Sequence, residues 1–181
     1  MLFRSYLAKE MQAAGRLQGD VVVGTVTTNS GLERYLDGLG VRLLRSAVGD
    51  RNVATLMREH NARLGGESSG HVLTPDRCPT GDGLRVALEV LRRAALADAP
   101  LSELLGAVPR DPSAKRAVRV GSRPPLEEVP ALVALLQEAD VALDASGGRR
   151  LLRYSGTEPV LRIQVEGPDA TLVAHWADRL A

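Results

Sequence analysis

Apolar residues along this chain change their period repeatedly, and each change marks a predicted element. Phe3, Leu7, Met11 and Ala14 recur at the spacing of one helix face, which predicts an amphipathic helix over 2–15. The run DVVVGTVT at 20–27 is continuously apolar and β-branched, the composition of a strand covered on both faces. Ser30 is placed to cap a short helix whose Leu32, Tyr35, Leu36 and Leu39 share a face, and Gly38 and Gly40 end it. Val41–Leu44 resumes a strand. Strand, helix and strand within about 25 residues make the compact βαβ pattern, which implies a parallel pair.

Val53, Leu56, Met57 and His60 then mark another helical face, followed by a glycine-rich loop at Leu64–His71 and a brief apolar stretch at Val72 and Leu73. Thr80 or Asp82 is expected to cap a long helix, in which Leu84, Ala87, Leu88, Leu91 and Ala95 form one apolar stripe for the core. A shorter helix is expected near Leu101–Ala107. The segment VPRDPSA at 108–114 gathers proline and polar residues between periodic runs, as a domain boundary and hinge would. Beyond it, Ala117–Val120, Arg149–Tyr154 and Val160–Val165 read as strands, with Gly147-Gly148 as the turn into the second. Val129, Leu132, Val133 and Leu136 read as a helical face, and Asp169 as the cap of a last helix with Leu172, Val173, Trp176 and Leu180 inward. The expected architecture is a partial three-layer α/β domain at 1–110 and a small α+β domain at 115–181.

The 181 residues are 44% hydrophobic and 25% charged, which fits a soluble globular chain and excludes disorder, collagen and coiled coil. A formal charge of +1, with one Trp, three Tyr and one Phe, provides no basic aromatic-studded surface and argues against nucleic acid as a partner. Of twenty-three cations, all but Lys9 and Lys115 are arginine, whose forked donors suit carboxylate or phosphate. The single cysteine, Cys78, reads as a loop thiol; it allows no internal disulfide or Cys-rich zinc site and fits a reducing compartment. No apolar run approaches the roughly 20 residues of a membrane span, and no secretory leader pattern opens the chain, so a cytoplasmic protein without membrane association is expected. His60 and His175 have no second ligand at metal spacing, and no metal motif occurs.

Two segments carry candidate chemistry. In Gly65-Gly66-Glu67-Ser68-Ser69-Gly70-His71, glycines permit close approach of a ligand to the backbone, while Glu67, Ser69 and His71 offer an acceptor, a hydroxyl and a titratable ring suited to sugar hydroxyls. The same composition also describes a plain flexible turn. In Arg153-Tyr154-Ser155-Gly156-Thr157-Glu158-Pro159, followed by Arg162, a tight turn between strands has guanidinium groups at both ends, the ingredients of a concave anion site. A simple hairpin accounts for the turn equally well. Asp50 and Arg51 lie between a strand and a helix, where open parallel sheets gather ligands, although Asp50 also reads as an N-cap. Thr80–Gly83 precedes a helix and is accounted for by capping.

GGESSGH at 65–71, TGDG at 80–83 and RYSGTEPVLR at 153–162, with GTVTTNSGLE at 24–33 and VGDRNV at 48–53, together resemble the α-D-phosphohexomutases, and among them the bacterial phosphoglucosamine mutases. Ser68 and Tyr154 depart from the usual pattern of that subfamily. The resemblance implies the third of four family domains, N-terminally incomplete, and the fourth, a TATA-binding-protein-like α+β unit. It implies that Glu67 and Ser69 grip sugar hydroxyls, that His71 donates or accepts a proton, and that Asp50 and Arg51 line the cleft. Arg153, Ser155, Gly156, Thr157, Glu158 and Arg162 are implied to hold the phosphate that is not transferred.

The family's phosphoserine and its Mg²⁺ loop, an Asp-x-Asp-x-Asp-Arg pattern, have no counterpart in the 181 residues. The resemblance therefore implies a mutase whose missing N-terminal domains are partners of this chain, and a chain inactive alone and prone to associate. A phosphomannomutase or phosphoglucomutase fragment, and a standalone non-catalytic phosphosugar-binding module, are the alternatives.

Overall fold

The computed structural model describes residues 2–74, 80–105 and 109–181, with the side chains of Leu2, Phe3 and Leu105 left aside. Cys78 and the Val108 end of the expected linker lie outside the described residues. The chain divides into two compact units, Met1–Arg110 and Asp111–Ala181.

In the first unit, α1 (Leu2–Ala13) leads into β1 (Val21–Thr25), α2 (Ser30–Asp37), β2 (Arg42–Ser46), α3 (Asp50–Glu59), β3 (Gly65–Gly66), β4 (Val72–Leu73), α4 (Gly83–Ala97) and α5 (Leu101–Leu105). The strands form one sheet in the order β2-β1-β3-β4. Strand β1 pairs parallel with β2 and β3, and β3 pairs antiparallel with β4. Successive residues of β1 face opposite sides of the sheet. Val22 accordingly packs with Leu7 and Ala8 of α1 and Leu32 and Leu36 of α2, whereas Val21 and Val23 pack with Val53 and Met57 of α3. This is the three-layer arrangement that a wholly apolar strand requires.

Several local expectations are corrected. Asn29, not Ser30, caps α2, its Oδ1 accepting from the Gly31 N–H at 3.1 Å. Gly49 occupies the cap position of α3, so Asp50 is its first residue and accepts from the Arg51 N–H at 2.7 Å. For α4 the expectation holds: of the two candidates Asp82 is the cap, accepting from the Arg85 N–H at 3.0 Å.

The stripe expected to bury α4 faces solvent. Leu84 is 74%, Leu88 58% and Leu91 57% exposed, while Val90 and Arg93 are buried. The segment GLRVALEVLRRAALA is apolar on more than one face, and polar contacts select among them: Arg93 bonds Glu89 at 2.7 Å and reaches Glu10 of α1 at 3.4 Å.

The second unit comprises β5 (Ser113–Arg119), α6 (Pro130–Ala145), β6 (Arg149–Tyr154), β7 (Val160–Glu166) and α7 (Ala170–Arg179). Its sheet is antiparallel throughout, in the order β5-β7-β6. Leu161, Ile163 and Val165 of β7 pack with Ala139 and Leu143 of α6 and with Val173, Trp176 and Ala177 of α7, so both helices cover one face. Asp169 caps α7 by accepting from the Thr171 and Leu172 N–H groups at 2.8 and 3.0 Å. Gly147, at φ 71°, follows the end of α6, and the next N–H, of Gly148, donates to the Leu143 carbonyl at 2.8 Å. A residue with a Cβ is disfavoured in that left-handed conformation, which is why glycine turns the chain here.

The Glu89 carboxyl lies well below its ordinary 4.5, at about 2, chiefly through the hydrogen bond from Arg92, with Arg93 adding to it against the opposing effect of desolvation. A carboxylate depressed in the folded state contributes stability above its unfolded value that is lost as pH falls through its folded one. Glu89→Gln is therefore expected to lower the urea midpoint near neutral pH, with the gap from the parent closing between pH 4.5 and about 2. A gap independent of pH would contradict this role.

Candidate functional site

Because β1, β2 and β3 run parallel, the segments leaving them emerge at one edge of the first unit's sheet, where open α/β sheets gather ligands. Side chains and amides cross-link these segments. The Glu67 Oε1 accepts from the Gly49 N–H at 2.8 Å, which joins the turn after β2 to the segment after β3. The Thr27 and Ser68 hydroxyls lie 3.1 Å apart, joining the turn after β1 to the same segment. Within it, the Glu67 N–H donates to the His71 carbonyl at 2.9 Å, and the His71 Nδ1 stands 3.4 Å from the Ser69 Oγ and 3.7 Å from the Glu67 Oε2. Glu67, Ser69 and His71 thus converge. Ser69 and His71 are exposed, and they end a cleft of about 580 Å³ that continues past Gly81–Gly83 along Val86 and Val90. Asp50 and Arg51 are exposed at the start of α3, one residue beyond the Gly49 amide that holds Glu67.

Glycine is required beneath this loop. A Cβ on Gly66 would collide with the His71 carbonyl oxygen, and one on Gly65 with the Met57 sulfur and, at 2.9 Å, with the Val53 Cγ1. The run expected to be only a loop is therefore a strand at its start, and its two glycines are close-approach residues.

Sequence reading missed Arg4. Its guanidinium is 2% exposed and donates to the Gly66 carbonyl, with the Thr28 Oγ1 at 3.5 Å, so it ties β3 to the turn after β1. Its Nε has no partner, and its pKa falls from 12.5 to about 10, mainly through burial and further through Arg45, with Glu67 opposing. Arg45 braces the same turn by donating to the Thr28 carbonyl at 2.6 Å and to Glu33 at 2.7 Å.

In the second unit the turn from β6 to β7 is closed by the Ser155 N–H on the Val160 carbonyl at 2.9 Å and by the Glu158 N–H on the Ser155 Oγ at 3.3 Å. Ser155 is buried, and Gly156, Thr157 and Glu158 are exposed. Arg153 is directly opposite Arg162 across the strands, and Arg162 pairs with Glu158. Arg123 donates to the Glu158 carbonyl at 2.7 Å, and the Tyr154 hydroxyl to the Pro124 carbonyl at 2.8 Å, so the segment after β5 braces the turn.

Both units match known domain families. Residues 3–111 match the description Phosphoglucomutase/phosphomannomutase, alpha/beta/alpha domain III, and residues 116–181 the C-terminal domain of the same enzymes. The chain belongs to the phosphoglucomutase/phosphomannomutase family. The phosphoglucosamine mutase of Methylococcus capsulatus is 43% identical over 175 residues, covering 97% of this chain and 39% of that protein. The phosphoglucosamine mutase of Sphingopyxis alaskensis is 43% identical over 166 residues, covering 92% of this chain and 37% of that protein. The chain thus spans about two-fifths of the length of these curated relatives.

The N-acetylphosphoglucosamine mutase of Aspergillus fumigatus, solved in complex with GlcNAc-6P and magnesium, shares the fold, with a TM-score of 0.78 at 18% identity over 99% of this chain and 44% of that one. Among the described residues no three His, Cys, Asp or Glu side chains gather to hold a metal, and no helix is long and apolar enough to cross a membrane.

Gly66→Ala is expected to lower stability by about 1–3 kcal/mol in urea titrations, because backbone must move to admit the methyl group. Gly156→Ala, with open space around its Cβ position, should stay within about 0.5 kcal/mol of the parent. Equal losses at the two positions would remove the steric account of the first turn.

Proposed function

We propose that this chain forms the sugar- and phosphate-binding part of a phosphoglucosamine mutase, which interconverts glucosamine 6-phosphate and glucosamine 1-phosphate through a phosphoserine enzyme and a bisphosphate intermediate. The observation that carries the reading is the pairing of Arg153 directly opposite Arg162 beside the Ser155–Glu158 turn. Like charges opposed across strands repel. Glu158 offsets one of the two cations, and a phosphate group on the turn would offset the other. The choice of glucosamine is supported by 43% identity to proteins named phosphoglucosamine mutase.

In this reading the turn after β6 anchors the phosphate that is not transferred, through Arg153, Arg162 and the amides of Gly156 and Thr157, with Ser155 shaping the turn. Glu67, fixed by the Gly49 amide, accepts from sugar hydroxyls, and Ser69 binds alongside it. His71 takes or gives a proton at the reacting hydroxyl, and Asp50 and Arg51 border the ring. Positioning of this kind is a large part of phosphoryl-transfer catalysis. The family's magnesium finds no fitting ligand group among the described residues, so no step by this chain passes through it. The 181 residues contain no counterpart of the family's phosphoserine and metal loops, and the chain alone is expected to bind without turnover.

Calorimetry with glucosamine 6-phosphate is expected to detect binding that weakens roughly tenfold in Arg153→Met. Glu67→Gln should weaken glucosamine 6-phosphate binding while leaving that of inorganic phosphate unchanged. Absence of phosphosugar binding would overturn the site assignment, and sustained formation of glucosamine 1-phosphate by the chain alone would overturn the division of labour. Tighter binding of mannose 6-phosphate would replace the sugar.

A further inference from the structure

The register of the second sheet brings another arginine beside the phosphate turn. Arg119, the last residue of β5, pairs with Val160, and Val160 begins β7 directly after the turn. The next N–H, of Val120, donates to the Pro159 carbonyl at 3.0 Å, which holds the end of β5 against the exit of the turn. Residues directly opposite in an antiparallel pair point to the same face, as do alternate residues along one strand. Arg119 therefore shares a face with Val160 and Arg162, and Arg162 shares it with Arg153 opposite. That face is the one away from α6 and α7, whose core partners on β7 are the alternate residues Leu161, Ile163 and Val165. Three guanidinium side chains thus stand on adjacent strands of an open face at the turn end of the sheet.

Arg162 is engaged with Glu158. Arg119 and Arg153 are exposed, and among the described residues neither has a carboxylate in ion-pair range. With Arg123 bonded to the Glu158 carbonyl, four guanidinium groups and one carboxylate leave the turn strongly cationic, and a phosphate monoester above its second pKa of about 6 brings two negative charges to it. A site serving a carboxylate or another singly charged group would need less.

We infer that Arg119, which lies outside the Arg153–Pro159 motif, is a third phosphate-binding guanidinium that makes the site select a dianionic phosphate monoester. This inference rests on the proposed phosphosugar function. Arg153 and Arg162 hold the group from β6 and β7, and Arg119 closes the β5 side. Arg116, on the opposite face and bonded to Asp178 at 2.7 Å, takes no part.

The test is calorimetric titration of the full chain with glucosamine 6-phosphate from pH 5 to pH 8, for the parent, Arg119→Met, Arg119→Lys and Arg116→Met. Circular dichroism melts establish that each variant is folded. The parent should bind more tightly as the phosphate becomes dianionic through about pH 6. Arg119→Met should lose roughly tenfold in affinity above that pH and flatten the rise, because a charge-assisted donor is removed. Arg119→Lys should restore the pH-dependent rise, and Arg116→Met should follow the parent. If Arg119→Met follows the parent while Arg153→Met weakens binding, the inference falls and the proposed function stands. If the parent binds no phosphosugar, both fall.

Discussion

Strand β3 runs through a gap that has no room for a side chain. On one side lie Val53 and Met57 of α3, and on the other the His71 carbonyl, all too close to admit a Cβ on Gly65 or Gly66. This close approach lets the chain turn back so quickly that the Glu67 amide bonds the His71 carbonyl and β4 pairs beside β3. The placement of Glu67, Ser69 and His71 depends on it. Bulk at either glycine would move the loop off the sheet edge and separate Glu67 from the Gly49 amide.

The charges around the first turn are arranged at a cost. Arg4 is held under β3 with an unpaired Nε, and desolvating a guanidinium costs several kcal/mol, which the nearby Glu67 carboxylate offsets in part. In return, one side chain spans the turn after β1 and the strand leading to Glu67. The second unit handles charge differently. Arginines remain on an open sheet face in water, where repulsion is screened and an arriving anion is attracted. One turn is cross-linked by the buried Arg4 and by Glu67 and braced by Arg45; the other is an exposed set of cations braced by Arg123 and Tyr154.

The second unit was the more legible in sequence. In α7 the apolar period, the Asp169 cap and a final Leu180 at the core all point to one helix, and β7 alternates Leu161, Ile163 and Val165 with polar residues. The buried face of α4 was not legible, because its most regular apolar stripe, with Leu84, Leu88 and Leu91, is the exposed one, while the buried face includes a charged residue, Arg93, which meets Glu10 and Glu89. Strand β3 was hidden because two glycines carry no period. The motif residues could be identified by composition, but the bond from Gly49 to Glu67 joins positions 18 apart in the chain and follows only from the parallel order of the strands. Arg4 reads as an ordinary polar position on a helix until the sheet covers it. Arg119 becomes part of a site only once the register of β5 against β7 is known.

The central proposal is that the turn at Glu67–His71 binds sugar hydroxyls and the turn at Ser155–Glu158 binds phosphate. Amide chemical-shift mapping of the isotope-labelled chain, titrated in turn with glucosamine 6-phosphate, glucosamine and inorganic phosphate, tests it most directly. Inorganic phosphate should shift amides between Arg153 and Arg162 alone, glucosamine those between Glu67 and His71, and glucosamine 6-phosphate both sets. Shifts from phosphate centred on Glu67–His71, or an unresponsive turn at Ser155–Glu158, would contradict the account.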